Sequence, residues 1–287
     1  MPKMPLASVV VTSYNYEKFI LKTLESIKSQ TYRNFEIIIV DDFSSDKSVE
    51  ICEKFISENQ DLKITLLKND RNCGQLYSMI RGLKIAQGEF VSFADSDDVL
   101  FPEFLEKHIR VHLETSVAFT SCQIAEIGEN DELHTLHSVS SPHSDLESLF
   151  AGEKVEYKKL GRKRFGGWHW SPNSSAMFRR SAIEFIADYK NADKWRICPD
   201  KFLFNLANLI GGSVIIYTPL VYYRRHKGNS GDCTLVTGDK RLHSDRQTVV
   251  NVKNNIKIKP ETIKFLWQER KILGLRNTLS FILRVII

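Results

Sequence analysis

The chain opens on short apolar runs alternating with amphipathic stretches. Ser8-Val9-Val10-Val11-Thr12 is a β-branched run that predicts a buried strand, and it ends in the polar Ser13-Tyr14-Asn15-Tyr16. Phe19, Ile20, Thr23, Leu24 and Ile27 then recur at helical spacing, and Gln30-Thr31-Tyr32 breaks the pattern. Phe35 to Val40 predicts a second strand running into Asp41-Asp42. Val49, Cys52, Phe55 and Ile56 mark a second helix, capped from Ser44, Ser45 or Asp46. Leu62 to Leu67 gives a third strand; Leu76, Met79, Ile80 and Leu83 give a third helix, stopping near Gly88; Phe90 to Ala94 gives a fourth strand ending at Asp95. The order βαβαβαβ implies right-handed crossovers and a mainly parallel sheet covered on both faces, with ligands at the carboxyl ends of the strands.

The pattern is less regular further on. Glu103 to Thr115 predicts a helix on which His108 and His112 lie one turn apart; no Glu follows His108 as a metalloprotease would need, so the two read as partly exposed helix residues. His134, His137 and His143 fall in a Ser-rich stretch read as a loop. Phe202 to Tyr223 carries no charge and is long enough to span a bilayer, but Asn205, Asn208, Gly211-Gly212 and Pro219 divide it. It reads as a buried helix, a glycine turn and a strand. Thr262 to Ile287 reads as a helical tail ending in Phe281-Ile282-Leu283-Arg284-Val285-Ile286-Ile287. Such a tail either lies on an anionic membrane or packs on the protein body or a second subunit.

Length and composition limit what these elements can build. At 287 residues, 42% hydrophobic and 26% charged, the chain is an ordinary globular sequence, not a disordered, collagen-like or simple coiled-coil one. The net charge of +5 is concentrated after residue 230, where eleven basic residues face five acidic ones. Cys52, Cys73, Cys122, Cys198 and Cys233 are odd in number and widely spaced, which fits a reducing compartment and no cysteine zinc site. Met1 to Ala7 is too short and proline-interrupted for a signal peptide.

The chemistry-bearing positions cluster at the strand ends. Asp95, Asp97 and Asp98 place three carboxylates within four positions, an arrangement that needs a cation or donors to offset repulsion. Mg²⁺ or Mn²⁺ suits such oxygen ligands, with substrate phosphate completing the shell. Asp98 stands four positions before Pro102, too far to cap the helix there. Asp41-Asp42 is equally compatible with a turn or cap. No Gly-x-Gly-x-x-Gly follows the first strand and no Walker A sequence is present, which excludes dinucleotide enzymes and P-loop phosphotransferases.

Taken together, Val9 to Asn15, Leu24 to Tyr32, Phe35 to Ser48 with Val40-Asp41-Asp42-Phe43-Ser44-Ser45-Asp46, Ala86-Gln87-Gly88-Glu89-Phe90 and Ala94 to Asp98 resemble a family-2 glycosyltransferase of the bacterial polysaccharide type. The likeness covers about the first 110 residues almost without gaps and is patchier beyond. It implies an α/β fold of the GT-A type: a doubly wound, mainly parallel sheet with an acceptor-binding lobe and a C-terminal helical tail. Residues 1–110 would form the nucleotide-sugar half, 111–230 the acceptor-binding and catalytic half of the same domain, and 231–287 a basic helical extension. It further implies that Thr12 and Tyr14 meet the nucleotide base and that Asp42 accepts a hydrogen bond from it. Asp95-x-Asp97 matches the Asp-x-Asp motif, with Asp95 toward the ribose or metal-bound water, Asp97 on the metal, and Asp98 extending the acidic edge. Many relatives carry Asn where this chain has Ile80, two positions before Gly82.

In the second half, Gly161 to Trp170 joins basic residues, paired glycines and two tryptophans; Trp168 and Trp170 either stack on an acceptor sugar or pack into the lobe. Pro172 to Arg180 resembles the segment that lines the acceptor side. Pro199-Asp200-Lys201-Phe202-Leu203 resembles the family's Glu-Asp motif with Pro in place of Glu, and makes Asp200 the candidate base; a helix cap is the alternative. Val221 to Ser230 resembles the closing Tyr-Arg-x-His segment, in which Arg and His would neutralise diphosphate and His226 would be a further metal ligand. The expectation is an inverting, Mn²⁺- or Mg²⁺-dependent hexosyltransferase, cytoplasmic or peripheral to the inner face of a membrane. It would move a sugar from a nucleoside diphosphate sugar, UDP-linked, to a carbohydrate or lipid-linked acceptor, with no nucleic-acid partner. A catalytically silent sugar- or nucleic-acid-binding protein on the same fold and a phosphoacceptor receiver module are the alternatives.

Overall fold

The structure is a computed structural model that describes residues 4–137, 155–161, 170–196, 199–226, 260–273 and 278–279. In chain order it contains β1 (Ala7–Ser13), α1 (Ile20–Lys28), β2 (Phe35–Asp41), α2 (Ser48–Glu58), β3 (Ile64–Lys68), α3 (Gln75–Ile85), β4 (Phe90–Asp95), β5 (Val99–Leu100) and α4 (Phe104–Glu114). These are followed by β6 (Phe119–Ile127), β7 (Leu133–His137), β8 (Tyr157–Leu160), β9 (Ala176–Arg179), α5 (Arg180–Ile183), α6 (Pro199–Gly211), β10 (Ser213–Arg224), α7 (Pro260–Gln268) and α8 (Arg270–Leu273). The predicted βαβαβαβ order of the first half is present, and Phe202 to Tyr223 is the helix, turn and strand that its interruptions implied.

One sheet runs through both halves in the order β3-β2-β1-β4-β9-β6-β10-β5. The β3-β2-β1-β4 part is parallel throughout. Beyond it β9 runs antiparallel to both β4 and β6, while β10 pairs with β6 in parallel, so the second half of the sheet is mixed. β1 and β2 are continuous apolar runs because both of their faces are covered. Val10, Ile38 and Val40 face α3 and α6, and Val9, Val11, Ile37 and Ile39 face the α1, α2 and α4 side. Gly82 lets α3 approach β1 closely: a Cβ there would lie 2.3 Å from Val10 Cγ1.

Two expectations about histidine are corrected here. His134 and His137 lie on β7, which pairs with β6 by backbone hydrogen bonds that a reading of side-chain periodicity cannot register; His143 lies outside the described residues. His108 and His112 are fully buried, because α4 packs across β6 and β9. His112 Nε2 lies 3.0 Å from the Met177 carbonyl, which only accepts, so that nitrogen carries the proton; His108 Nδ1 lies 2.6 Å from Thr120 Oγ1. His108 Nε2 and His112 Nδ1 have no hydrogen-bond partner among the described residues. Burial drives the His108 imidazole well below its ordinary value and His112 down to about 3, with the Arg179 charge adding to the latter and the Met177 bond opposing it.

Histidines kept neutral when folded stabilise the protein fully above their unfolded pKa, and that stability is lost as pH falls below it. With the folded His112 at about 3 against an unfolded value of about 6.5, its contribution falls by about 2 kcal/mol at pH 5, and the lowered His108 adds a loss of the same sign. Between pH 7 and pH 5 the wild type should therefore lose about 2 kcal/mol or more relative to a His108→Leu/His112→Leu variant in urea unfolding. Parallel pH dependences for the two proteins would contradict this account.

The tail packs on the body over α7. Phe265 and Leu266 join the core on the α3 and α6 side, and the Phe265 ring meets Phe185 (6.2 Å between centroids) and Tyr189 (4.8 Å). The apolar end from Phe281 to Ile287 lies outside the described residues. No helix among the described residues is long and apolar enough to cross a membrane.

Candidate functional site

The strand order reverses between β1 and β4, and a crevice opens there at the carboxyl ends of the strands. Register sets its floor: Thr12 of β1 pairs with Asp95 of β4, and Ser13 pairs with Asp41 of β2. The crevice is a cavity of about 810 Å³, and Thr12, Tyr14, Asp42, Asp95, Asp97 and His226 all line it. Six expected site residues, spread over more than 200 positions, thus meet in one place.

The end of the cavity at which the nucleotide is expected is built by two interlocked loops. Asn15, with φ +60°, donates its amide to Ser44 Oγ (2.9 Å) and accepts from the Ser45 amide (2.8 Å). Tyr16 N donates to Ser48 Oγ, and the Glu17 amide donates to Asp46 Oδ2. Thr12 is buried at the cavity floor, whereas Tyr14 is 45% exposed. Asp42 is already engaged: Oδ1 accepts from Asn69 Nδ2 (2.6 Å) and the Cys73 amide (2.8 Å), and Oδ2 accepts from the Gly74 amide (2.7 Å). A carboxylate offers about four acceptor positions, so Asp42 anchors the 69–74 loop and keeps one for a ligand.

The acidic motif separates into three roles. Asp95 Oδ1 accepts from Gln75 Nε2 (2.6 Å) and Asn173 Nδ2 (3.0 Å), and the Asp95 amide donates to Ser174 Oγ (2.9 Å). Burial first, then the Asp97 charge, push the Asp95 carboxyl up to about 7; Asp200 adds to the rise, and the Asn173 and Gln75 bonds oppose it. Asp97 faces the cavity, its Oδ2 2.9 Å from His226 Nε2. The His226 ring is held against Phe19 (4.8 Å) and edge-on to Tyr16 (5.9 Å). Asp98 does not extend the acidic edge. It is fully buried behind the motif, its Oδ1 accepting from the Arg224 amide (3.0 Å), and burial with the Asp97 and Asp95 charges holds its pKa well above the carboxylate range. Thr23 Oγ1 fastens the turn from below by donating toward the Ser96 and Asp98 carbonyls.

Neither arginine of the closing segment is free to meet diphosphate. Arg224 is 1% exposed: Nη1 pairs with Asp131 (2.6 Å), Nε donates to the Asp97 carbonyl (2.9 Å), and the guanidinium lies over Phe19 (5.1 Å). Arg225 pairs with Glu126 at 2.5 Å. β10 alternation turns the first inward, and β6 supplies the partner of the second, so both hold structure around the motif.

The expected acceptor side is described in part. Asp200 lies half-buried in the first turn of α6, and its charge reaches Asp95. Trp168 lies outside the described residues. Trp170 is 3% exposed, donates Nε1–H to Ser213 Oγ (3.0 Å) and packs on Phe119 and Phe204, so it supports the lobe from inside instead of presenting a face to a sugar. Ile80 lies in the α3 core, 4% exposed. Residues that sequence reasoning did not single out are Gln75, Asn173, Ser174 and Arg196. The first three hold Asp95, and Arg196 lines the cavity. Gln75, following Gly74 at the head of an amphipathic helix, is the one local signal.

Comparisons with known proteins agree with this geometry. The pattern described as glycosyl transferase family 2 matches residues 8–186. An uncharacterized glycosyltransferase, alr2836, of Nostoc sp. is 26% identical over 225 residues, 78% of this chain and 66% of that protein. The E. coli UDP-Glc:alpha-D-GlcNAc-diphosphoundecaprenol beta-1,3-glucosyltransferase WfgD is 30% identical over 156 residues, 54% of each chain. The chain thus spans about two thirds or less of these relatives' own length. The crystal structure of S. aureus TarS 1-349 in complex with UDP-GlcNAc superposes with a TM-score of 0.55 at 18% identity, covering 96% of this chain and 83% of that one, which establishes the shared fold. With the family pattern covering more than half of its length, including β1, β2 and β4 and the acidic residues at their carboxyl ends, the chain belongs to glycosyl transferase family 2.

Proposed function

We propose that the protein transfers a sugar from a UDP-linked donor to a carbohydrate or lipid-linked acceptor with inversion at the anomeric carbon. The observation that carries this reading is the cavity in which Asp42, Asp95, Asp97 and His226 converge, with the Asp200 charge felt at Asp95. The activity named for the E. coli relative, which uses UDP-Glc and a lipid-linked diphosphate acceptor, and the TarS complex with UDP-GlcNAc support the donor and acceptor classes. Family membership removes the receiver alternative.

On this reading Thr12 and Tyr14 border the base and Asp42 accepts from it. Asp200 takes the proton of the acceptor hydroxyl as that oxygen attacks the anomeric carbon and the diphosphate departs from the opposite face. Asp97, Asp95 and His226 offer carboxylate oxygens and an imidazole, a donor set that suits Mn²⁺ or Mg²⁺. Among the described residues no three such side chains are grouped to hold a metal by themselves, so donor phosphate would complete the shell. When bound, the cation would stabilise charge on the departing diphosphate. Tyr16 and Tyr223, whose hydroxyls burial and then the aspartate charges keep protonated, border the same wall. The site would work in the cytoplasm, at or near the inner face of a membrane.

Thermal unfolding with UDP, GDP, TDP and CMP, each with and without Mn²⁺, tests the donor class. A ligand at about 100 times its Kd adds about 2.7 kcal/mol, which raises Tm by roughly 5–10 °C for a chain near this size. UDP with Mn²⁺ is expected to give the largest rise. No rise with any nucleotide would favour the silent reading, for which Pro199 in place of the family Glu is the motivating feature. Configuration of the isolated product tests inversion, and a retained anomer would refute the single displacement.

A further inference from the structure

We infer that Arg196 binds a phosphate group of the substrate inside this cavity; the inference rests on the donor reading above. The cavity floor and walls are rich in carboxylates, and a nucleoside diphosphate brings further negative charge, so fixed positive charge is needed there. The obvious cations are already committed: Arg224 to Asp131, Arg225 to Glu126, and Lys18 to Glu129. Arg196 is different. Its guanidinium is steered by neutral acceptors, donating from Nη1 to the Asn72 carbonyl (3.2 Å) and from Nη2 to Asn72 Oδ1, and it has no carboxylate partner among the described residues. Of five N–H donors, three stay available on a fork whose orientation is fixed in advance.

The backbone places Arg196 against the head of α3 and a few positions ahead of α6. The Gln75 and Leu76 amides at the head of α3 donate to the Arg196 and Trp195 carbonyls (3.3 Å each), so the helix terminus that would otherwise hold an anion is closed by this segment. The positive charge offered there is the Arg196 side chain instead. Gly74, with φ +90°, makes the contact possible, because a Cβ would lie 2.7 Å from Arg196 Cα. Gln75 reaches on to Asp95, and the chain after Arg196 enters α6 with Asp200 in its first turn. A phosphate at Arg196 would therefore lie beside the groups assigned to the departing diphosphate.

Calorimetric titration of uridine, UMP and UDP into the wild type, Arg196→Gln and Arg196→Lys, and of farnesyl diphosphate into each protein saturated with UDP, tests the assignment. Arg196→Gln is expected to weaken UDP about tenfold, as for loss of a charge-assisted hydrogen bond, to leave uridine unchanged, and to be partly restored by lysine. A loss confined to farnesyl diphosphate would place the phosphate on the acceptor and still support the assignment. Equal losses for uridine and UDP would leave Arg196 only a loop-holding role, and no loss with any probe would show it idle; either result overturns the inference. Absence of nucleotide binding by the wild type would instead strike the donor reading itself, and this inference with it.

Discussion

Asp200→Asn is expected to lower the single-turnover transfer rate by about 10²–10⁴-fold, the usual contribution of a positioned general base. Asparagine keeps the size of aspartate, so the first turn of α6 should persist, but it cannot take the acceptor's proton. Asp200 does not line the donor cavity, so UDP affinity should stay close to that of the wild type. The variant carries an internal control for placement. The Asp200 charge is one cause of the raised Asp95 pKa, so its removal should bring the Asp95 carboxyl down from about 7. Transfer at the normal rate with UDP binding intact would remove Asp200 from the mechanism. A rate loss accompanied by weak UDP binding would mean that α6, and not the carboxylate, had been disturbed.

What the sequence discloses about this site follows from which interactions are local. β1, β2 and β4 are covered on both faces, so Val9-Val10-Val11 and Ile37-Ile38-Ile39 read as buried strands without any partner being known. The acids at their carboxyl ends become visible as a group only because parallel strands bring like ends together. Burial set by distant pairing leaves no such mark. β9 joins β4 and β6 from 55 to 89 positions away, and it is this strand that closes over His108 and His112 and supplies the Met177 carbonyl. The segment just before β9 brings Asn173 and Ser174 to Asp95. Arg224 illustrates the same limit, since its neighbours in sequence suggest a phosphate-binding surface while its strand parity turns it into the core, where Asp131 and two backbone carbonyls of the β6–β7 turn receive it. Trp170 is likewise ambiguous in sequence, because what buries it is the bond from its Nε1–H to Ser213, 43 positions away.

Asp97→Asn is expected to abolish the Mn²⁺-dependent part of the UDP-induced rise in Tm and to cut transfer by about 10²–10³-fold, the range for loss of one group that stabilises developing charge. The comparison that gives this weight is Asp98→Asn, one position along the same motif. Asp97 presents Oδ2 to the cavity beside His226, so replacing it removes a negative ligand and leaves a neutral amide that binds a hard cation poorly. Asp98 is fully buried, does not line the cavity, and uses Oδ1 to accept from the Arg224 amide, a role that the asparagine carbonyl oxygen can also fill. Asp98→Asn should therefore keep the metal-dependent rise and most of the transfer rate. Equal losses in the two variants would show that the motif acts as one undivided acidic patch. A normal metal response in Asp97→Asn would move the cation, or the need for one, away from the pair formed by Asp97 and His226. Because both variants keep side-chain volume, circular dichroism and urea midpoints near those of the wild type would confine either outcome to the chemistry of the carboxylates themselves.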